Sequence, residues 1–434
     1  MRPAAQIQAV IELLDILKEN PYPADRTMAN YFRARRYIGS KDKAAISEWF
    51  YTVLRQRASL TYLVEQCGGE DHPRDLLIVA LHQSGQMPAE IFTGEDYAPE
   101  ALSTAERTML EALQAADLNG LLAIAPVAVQ GNMPEWLTPL LQNSLGERFM
   151  DEMQAMQQRA STDIRVNLLK ASREKVLESL KDEGYTVSET SVSPWGLRFD
   201  GRVGLFNLKS FKQGWYEVQD EGSQLLALVT NVQSGQKVVD FCAGAGGKTL
   251  ALAAMMNNKG VIHACDVHSR RLEELGKRAK RAGVHNIQTH LLSTERDKWV
   301  KRNVGKMDVV LLDAPCSGSG TWRRNPDARW NLTEEALQQL QQTQQSILDS
   351  ACRLVKPGGK LVYATCSLLK EENEQQVEQF LMNHPEFAAA ELPDIGNAGQ
   401  LTESDHYQMR TYPGMSSMDG FFVAVLTHTR QHNA

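Results

Sequence analysis

Two cysteines follow apolar runs that a sheet could use to present them to a ligand. Cys366 comes directly after Lys360-Leu-Val-Tyr-Ala-Thr365, which stands behind Gly358-Gly359, and Cys316 comes after Val309-Val-Leu-Leu-Asp313-Ala-Pro315. Short apolar runs bounded by glycine or proline predict buried parallel strands, here with a Gly-Gly turn before the second one. In an open α/β sheet, ligands occupy the crevice beyond the carboxyl ends of the strands. If these two strands border the same crevice, Cys316, Cys366 and Asp313 face one ligand. A lone cysteine says little, because free Cys packs as a small hydrophobe. Two thiols and a carboxylate beside a methyl donor, however, have a coherent use. Carbon-5 of a pyrimidine is a poor nucleophile, but thiolate addition at carbon-6 makes the ring an enamine that can attack an electrophilic methyl group. A carboxyl group bonded to the ring would stabilise the charge that develops.

The methyl donor is suggested by an earlier stretch. A strand over Val238–Phe241 runs into Cys242-Ala-Gly244-Ala-Gly246-Gly247-Lys248-Thr249, after which a helix begins. Glycines at such a turn let a ligand approach the backbone, and the amides at a helix start favour an anionic or electron-rich group. A phosphate-binding P-loop would need glycine at 242, where Cys242 stands. A dinucleotide fingerprint starting at Gly244 would need Gly or Ala at 249, where Thr249 stands. The next strand, Val261–Cys265, ends at Asp266, a carboxylate placed to accept hydrogen bonds from two ribose hydroxyls. An adenosine ligand on a turn unsuited to pyrophosphate favours S-adenosylmethionine over NAD, with an ordinary helix N-cap as the plainer role for Asp266.

The elements that must hold these groups are spread over 434 residues, more than one core usually supports. From 1 to about 150 the pattern is helical. Ile7, Val10, Ile11, Leu14 and Leu17 share one face, Asn20-Pro-Tyr-Pro23 stops that helix, and Ala45, Trp49, Val53 and Leu54 line a second. Leu76–Leu81 reads as a buried helix, and the acidic, Pro-interrupted 90–111 as a surface excursion. Residues 151–215 read as a small α+β module, with strands near Asp163–Leu169 and Tyr185–Ser191 around a helix at Ser172–Leu180. From 216 to 434 strands at Val238–Phe241, Val261–Cys265, Gln288–Leu292, Val309–Leu312 and Leu361–Ala364 alternate with helices, the pattern of a doubly wound parallel sheet. The six cysteines include no Cys-x-x-Cys pair, so neither zinc nor a disulfide framework is expected. The apolar run Leu121–Val129 is too short to span a bilayer, and the charged amino terminus lacks the core of a signal peptide, so a cytoplasmic protein is expected. The net charge of −7 disfavours non-specific polyanion binding, but two local patches are basic. Arg33, Arg35, Arg36, Lys41 and Lys43 form one; Arg270, Arg271, Lys277, Arg278, Lys280 and Arg281 form the other. Each is either a solvated helix face or a phosphate-contacting surface. Trp322-Arg-Arg324 could likewise hold phosphates or a stacked base.

Asp313-Ala-Pro-Cys316-Ser together with Thr365-Cys366-Ser, and the loop Asp240-Phe-Cys-Ala-Gly-Ala-Gly-Gly-Lys-Thr249, resemble the RsmB/Nop family of RNA cytosine carbon-5 methyltransferases, in particular its RsmB-type members that modify 16S ribosomal RNA. Arg165-Val-Asn167, Val218-Gln-Asp220, Glu371-Glu-Asn373 and Asp419-Gly-Phe-Phe422 are similar too, so the resemblance covers about 150 to 426. Lys41-Asp-Lys-Ala through Val53-Leu-Arg55 resembles the NusB-like helical domain of such proteins. The resemblance implies a Rossmann-like, S-adenosylmethionine-dependent catalytic core behind an all-helical RNA-binding domain and the small α+β module. It makes Cys366 the nucleophile and Cys316 the residue that assists product release. Cys242, Ala243, Gly244, Ala245, Gly246, Gly247, Lys248, Asp266, Ser293 and Asp313 would line the cofactor site. The family commonly has Ala-Pro where Gly244-Ala245 stands, and an Asp directed to adenine where Ser293 stands, so a looser turn and a weaker hydrogen bond are expected. The expected partner is 16S rRNA or a small-subunit assembly intermediate, met by a monomer without metal or membrane.

Two other classes compete with this reading. A catalytically idle RNA-binding assembly factor would have no need of both thiols and Asp313. An NAD-dependent oxidoreductase would bind a nicotinamide cofactor and be indifferent to loss of Cys366.

Overall fold

The computed structural model describes residues 1–19, 23–201, 203–396 and 402–429. Contacts divide the chain into two compact units, Met1–Arg159 with Trp322–Leu332, and Ala160–Thr321 with Thr333–Ala434. In the first unit, helix Pro3–Glu19 buries Ile7, Val10, Ile11 and Leu14, the face its spacing predicts. The expected stop signal at Asn20, Pro21 and Tyr22 lies outside the described residues. Helix Ser40–Arg55 buries Ile46, Phe50, Val53 and Leu54, while Ala45 and Trp49 are only half-buried, so its inward face is turned by one residue from the expected one. Helix Pro73–Gln83 buries every residue from Leu76 to Leu81.

The acidic 90–111 stretch is not a mere surface excursion. Helix Thr104–Ala115 begins inside it with a complete Ser103/Glu106 capping box and buries Met109, Leu110 and Leu113. Glu106 also receives both prongs of the Arg74 guanidinium, at 2.7 and 3.0 Å, so one of the acids is structural.

Residues 322–332 are grouped with the helical unit although the sequence around them belongs to the other. Asp327 accepts a 2.9 Å bond from the Ala24 amide at the start of helix Ala24–Ala34. The Trp330 indole donates to the Leu54 carbonyl at 2.8 Å, and Arg55 donates to the Arg323 carbonyl at 3.1 Å. Arg329, fully buried, donates to the Asn132 carbonyl at 2.7 Å and lies 5.4 Å over the Trp322 ring. Trp322 and Arg323 are 0% and 5% exposed. The expectation that they form a free phosphate or base platform is therefore corrected: these side chains are spent on internal packing.

The second unit opens with a four-stranded antiparallel sheet. Its strands are β1 (Thr162–Val166), β2 (Val187–Glu189), β3 (Gly196–Phe199) and β4 (Tyr216–Val218), in the order β2-β3-β1-β4. Helix Arg173–Asp182, capped by Ser172, packs its Val176 and Leu180 into the same core as Ile164, Leu197 and Tyr216.

The larger sheet contains β5 (Lys237–Asp240), β6 (Val261–Asp266), β7 (Ile287–Leu291), β8 (Met307–Asp313), β9 (Val355–Thr365), β10 (Phe387–Ala389), β11 (Glu403–Ser404), β12 (Gln408–Thr411) and β13 (Phe421–His428). Its order is β11-β12-β13-β9-β8-β5-β6-β7, with β10 also on β13. β5 to β9 are mutually parallel, as expected, whereas β13 runs antiparallel to β9 and continues the sheet in a direction the alternation did not predict. Strand side chains alternate between two helical layers. Val238, Val309, Leu311, Val362 and Ala364 pack with helices Glu221–Val229 and Gly247–Met255. Val239, Val310, Leu312, Leu361 and Tyr363 pack with helices Glu334–Ala351 and Glu374–Asn383. Burial on both faces explains why these strands read as unbroken apolar runs. Gly358-Gly359 is no turn. It lies within β9 beside a register shift between Met307 and Val309, with Gly358 at φ +77° and a Cβ on Gly359 opposed by the Lys356 carbonyl at 2.9 Å.

Candidate functional site

Strand order reverses at β5, whose neighbours are β6 on one side and β8 on the other. A cleft of about 1130 Å³ opens there, beyond the carboxyl ends of the parallel strands. Cys242, Ala243, Gly244, Ala245, Gly247, Lys248, Asp266, Ser293, Asp313, Cys316 and Cys366 all line it. Gly246 does not. It caps helix Gly247–Met255 in the left-handed region at φ +85°, and a Cβ there would meet Leu275 at 2.3 Å, so both the backbone and the helix packing require glycine at this position.

Asp266 carries the turn as well as facing the cleft. One carboxylate oxygen accepts the Gly244 amide at 2.9 Å and the other the His268 amide at 2.8 Å. It is not the N-cap of the following helix, Ser269–Ala282, where His268 stands. Ser293 lines the cleft but donates its hydroxyl to Asp297 at 2.8 Å, leaving only acceptor capacity for a ligand. Asp240, 1% exposed, accepts the Thr249 hydroxyl at 2.6 Å with one oxygen, while its Oδ1 has no hydrogen-bond partner among the described residues. Burial pushes its carboxyl up to about 7, with the charge of Asp313 adding to the effect and the Thr249 bond opposing it. Burial likewise pushes the Cys242 thiol well up, so it faces the cleft as a protonated thiol at neutral pH.

Cys316 and Cys366 come together, with their sulfurs 3.4 Å apart and both free. The pairing follows from topology: β8 and β9 are adjacent and parallel, with Asp313 opposite Ala364, so the segments leaving them emerge side by side. The loops are tied by backbone too, the Gly320 amide donating to the Cys366 carbonyl at 2.9 Å. The hydrogen bond with Cys366, then burial, hold Cys316 well above the ordinary thiol range, so it keeps its proton at neutral pH. Lys248 donates to Asp313 at 2.6 Å from an 11% exposed side chain. Burial pulls its pKa down, but the charge of and bond to Asp313 outweigh that and leave it raised, so the cleft holds a fixed ammonium beside the thiols.

Three features of this site escaped the sequence reading. The Lys248–Asp313 pair joins residues 65 positions apart, which no local pattern reveals. Asp240 stands in the sequence only as the first residue of the glycine-loop motif, and nothing local marks the unpartnered acceptor on its carboxylate. Glu372, which the sequence marks only as the middle of the Glu371-Glu-Asn373 triplet, is fully buried and bonded to both cysteine loops. Within the second basic patch, Arg278 and Arg281 are committed to Glu217, at 3.1 and 2.5 Å, whereas Arg270, Arg271, Lys277 and Lys280 are exposed. In the first, Arg35 pairs with Glu12 at 3.1 Å. Among the described residues no group of three or more His, Cys, Asp or Glu could hold a metal, and no helix is long and apolar enough to cross a membrane.

Residues 227–427 match the family model described as 16S rRNA methyltransferase RsmB/F, and residues 133–205 match the RsmF/B-like ferredoxin-like domain. The chain is 34% identical over 410 residues to "Probable ribosomal RNA small subunit methyltransferase B" of Synechocystis sp., covering 90% of this chain and 92% of that one. It is 31% identical to ribosomal RNA small subunit methyltransferase B of Citrobacter koseri, with 90% and 91% covered. Among solved structures it is similar to the crystal structure of PH0851, at 28% identity and a TM-score of 0.78 over 98% of this chain and 99% of that one. It shares its fold with NSun6 from Pyrococcus horikoshii, solved with SFG, at 24% identity and a TM-score of 0.60 over 69% and 99%. The chain therefore belongs to the RsmB/F family of 16S rRNA methyltransferases, enzymes whose methyl donor is S-adenosylmethionine.

Proposed function

We propose that this chain methylates carbon-5 of a cytosine in 16S ribosomal RNA through a covalent Cys366–cytosine intermediate. The observation that carries the reading is the pair of thiols 3.4 Å apart in the donor cleft, beside Asp313 and Lys248. The residues present suit the donor: a glycine turn open to the cleft, the Asp266 carboxylate beside it and an unused acceptor on Asp240. The bound donor supplies an electrophilic methyl carbon.

The chain's own residues do the rest. The target base leaves its stack so that carbon-6 can reach Cys366. The Cys366 thiolate adds there, forming a carbon–sulfur bond and moving an electron pair to carbon-5. Asp313, held by Lys248, hydrogen-bonds the ring, and the ammonium offsets the negative charge that develops. Once carbon-5 carries the methyl, its proton passes to water in the cleft, the ring double bond re-forms and the Cys366 thiolate leaves. Cys316 assists this last step because its retained S–H can hydrogen-bond the departing sulfur. The helical unit, with its resemblance to NusB-like domains, holds the RNA.

Two experiments test the proposal. Bisulfite sequencing of 16S rRNA from cells with and without the gene should show one cytosine that loses its protection. With purified protein, Cys366→Ala should give neither product nor adduct, whereas Cys316→Ala should accumulate a protein–RNA band that survives denaturing electrophoresis. An adduct formed by the Cys366 variant would reverse the two roles. If folded, donor-binding variants of both kinds trap nothing, Cys316 is not needed for release or the covalent route is wrong.

A further inference from the structure

Ser317 and Ser367 directly follow the two cysteines, and one carboxylate joins them. Glu372, on the short 3-10 turn Lys370–Glu372, is 0% exposed. Its Oε1 accepts the Ser317 amide at 2.8 Å and the Gln344 side-chain amide at 3.0 Å. Its Oε2 accepts the Ser317 and Ser367 hydroxyls, both at 2.5 Å. The backbone that carries the carboxylate is itself tied down. The Tyr363 hydroxyl donates to the Glu372 carbonyl at 2.6 Å, and neighbouring Asn373 accepts from Thr365 at 2.5 Å and donates to the Ser367 carbonyl at 2.9 Å. All of these donors to Glu372 are neutral, so an acid here bears the desolvation penalty of a buried charge with no cation paired to it among the described residues. A carboxylate is acceptor-only, however, and so compels every hydroxyl and amide around it to point inward. A glutamine would fit but would let the hydroxyls reverse.

We propose that Glu372 is the positioning residue of the reaction: its carboxylate clamps the Cys316 loop to the Cys366 loop and thereby sets the approach of the two thiols. The inference rests on the two-thiol reading for its catalytic consequence, though not for its geometry. Glu372 does not line the donor cleft, so donor binding should not depend on it. Its charge also contributes to the high pKa of Cys316, after the Cys366 bond, burial and the Cys366 charge, which agrees with a clamp lying close to that thiol.

The test measures thiol placement apart from methylation. Oxidised glutathione and the reduced protein exchange to give a Cys316–Cys366 disulfide and two molecules of glutathione, so the equilibrium, read by mass spectrometry of the linked peptide, reports the effective concentration of one thiol at the other. Glu372→Ala should lower that concentration by about tenfold or more and lower kcat by roughly 100-fold, the scale expected for a reacting group misplaced by about 1 Å, with KM for the donor within about twofold. Glu372→Gln, which keeps the shape and can rebuild the bonds with reversed hydroxyls, should recover kcat to within about tenfold of the parent. If Glu372→Ala fails to fold, the Ser317→Ala/Ser367→Ala double variant removes both hydroxyl bonds and should lower the effective concentration in the same direction. An effective concentration unchanged in a folded Ala or double-Ser variant overturns the clamp. Equal losses of kcat in the Gln and Ala variants would overturn positioning in favour of a charge effect. If the clamp result holds but Cys366→Ala still methylates, the two-thiol reading fails and the geometry stands.

Discussion

Replacing Asp266 separates the carboxylate's two duties. In the parent, its oxygens each accept one backbone amide, Gly244 at 2.9 Å and His268 at 2.8 Å, and the same group faces the donor cleft. Asp266→Ala removes the carboxylate that we propose accepts hydrogen bonds from the donor's ribose, and it frees the Gly244 amide that shapes the glycine turn. A hydrogen bond to a charged group contributes about 1.5 to 3 kcal/mol, so donor affinity should fall by that amount, or about 10- to 140-fold. Asp266→Asn is the sharper probe. A carboxamide has only one acceptor oxygen, so it can hold Gly244 or His268 but not both. The Asn variant should therefore also lose affinity, by less than the Ala variant, while its melting temperature stays closer to the parent's. Isothermal calorimetry with S-adenosylmethionine and its demethylated product, alongside thermal unfolding, measures both quantities. Parent-like affinity in a folded Asp266→Ala protein would refute the assignment and leave Asp266 as a turn-shaping residue only.

Two further outcomes follow from groups whose burial is unequal to their charge. The Asp240 carboxyl, raised by burial from the usual 3.8 to about 7, is more basic folded than unfolded, so its stabilising contribution is complete below about pH 4 and is lost as pH rises through about 7. Asp240→Asn should flatten denaturant-derived stability over that window, where the parent loses at most about 1.4 kcal/mol per pH unit to this group; parallel curves for parent and variant would contradict it. For RNA binding, Arg270, Arg271 and Lys280 are exposed cations of helix Ser269–Ala282, while Lys277 pairs with Glu274 and Arg278 and Arg281 are engaged by Glu217. Their joint replacement by Ala should reduce the slope of log affinity against log salt by roughly 0.7 to 0.9 per lost phosphate contact, and a slope that does not move would make this helix face merely solvated.

By itself the sequence determined what chemistry the chain has to offer and on which strands. Val309–Leu312 and Leu361–Ala364 are apolar on both faces, which only a strand covered by two helical layers satisfies, and Cys316 and Cys366 sit just past their ends. That placement is local, a matter of periodicity and punctuation, and so it was legible. The adjacency of β8 and β9 was not, because strand order depends on which crossovers the whole sheet accommodates, and it is this order that brings the sulfurs within 3.4 Å. Lys248–Asp313 and the Glu372 clamp belong to the same class, since they join residues 65 and 55 positions apart. Trp322-Arg-Arg324 shows the reverse error. Its composition suits a nucleic-acid surface, but composition carries no information about burial, and the helical unit uses Trp322 and Arg323 as internal packing. Local pattern decides which residues can form an element and which chemistry they carry, whereas long-range packing decides which of them meet and which remain free to act.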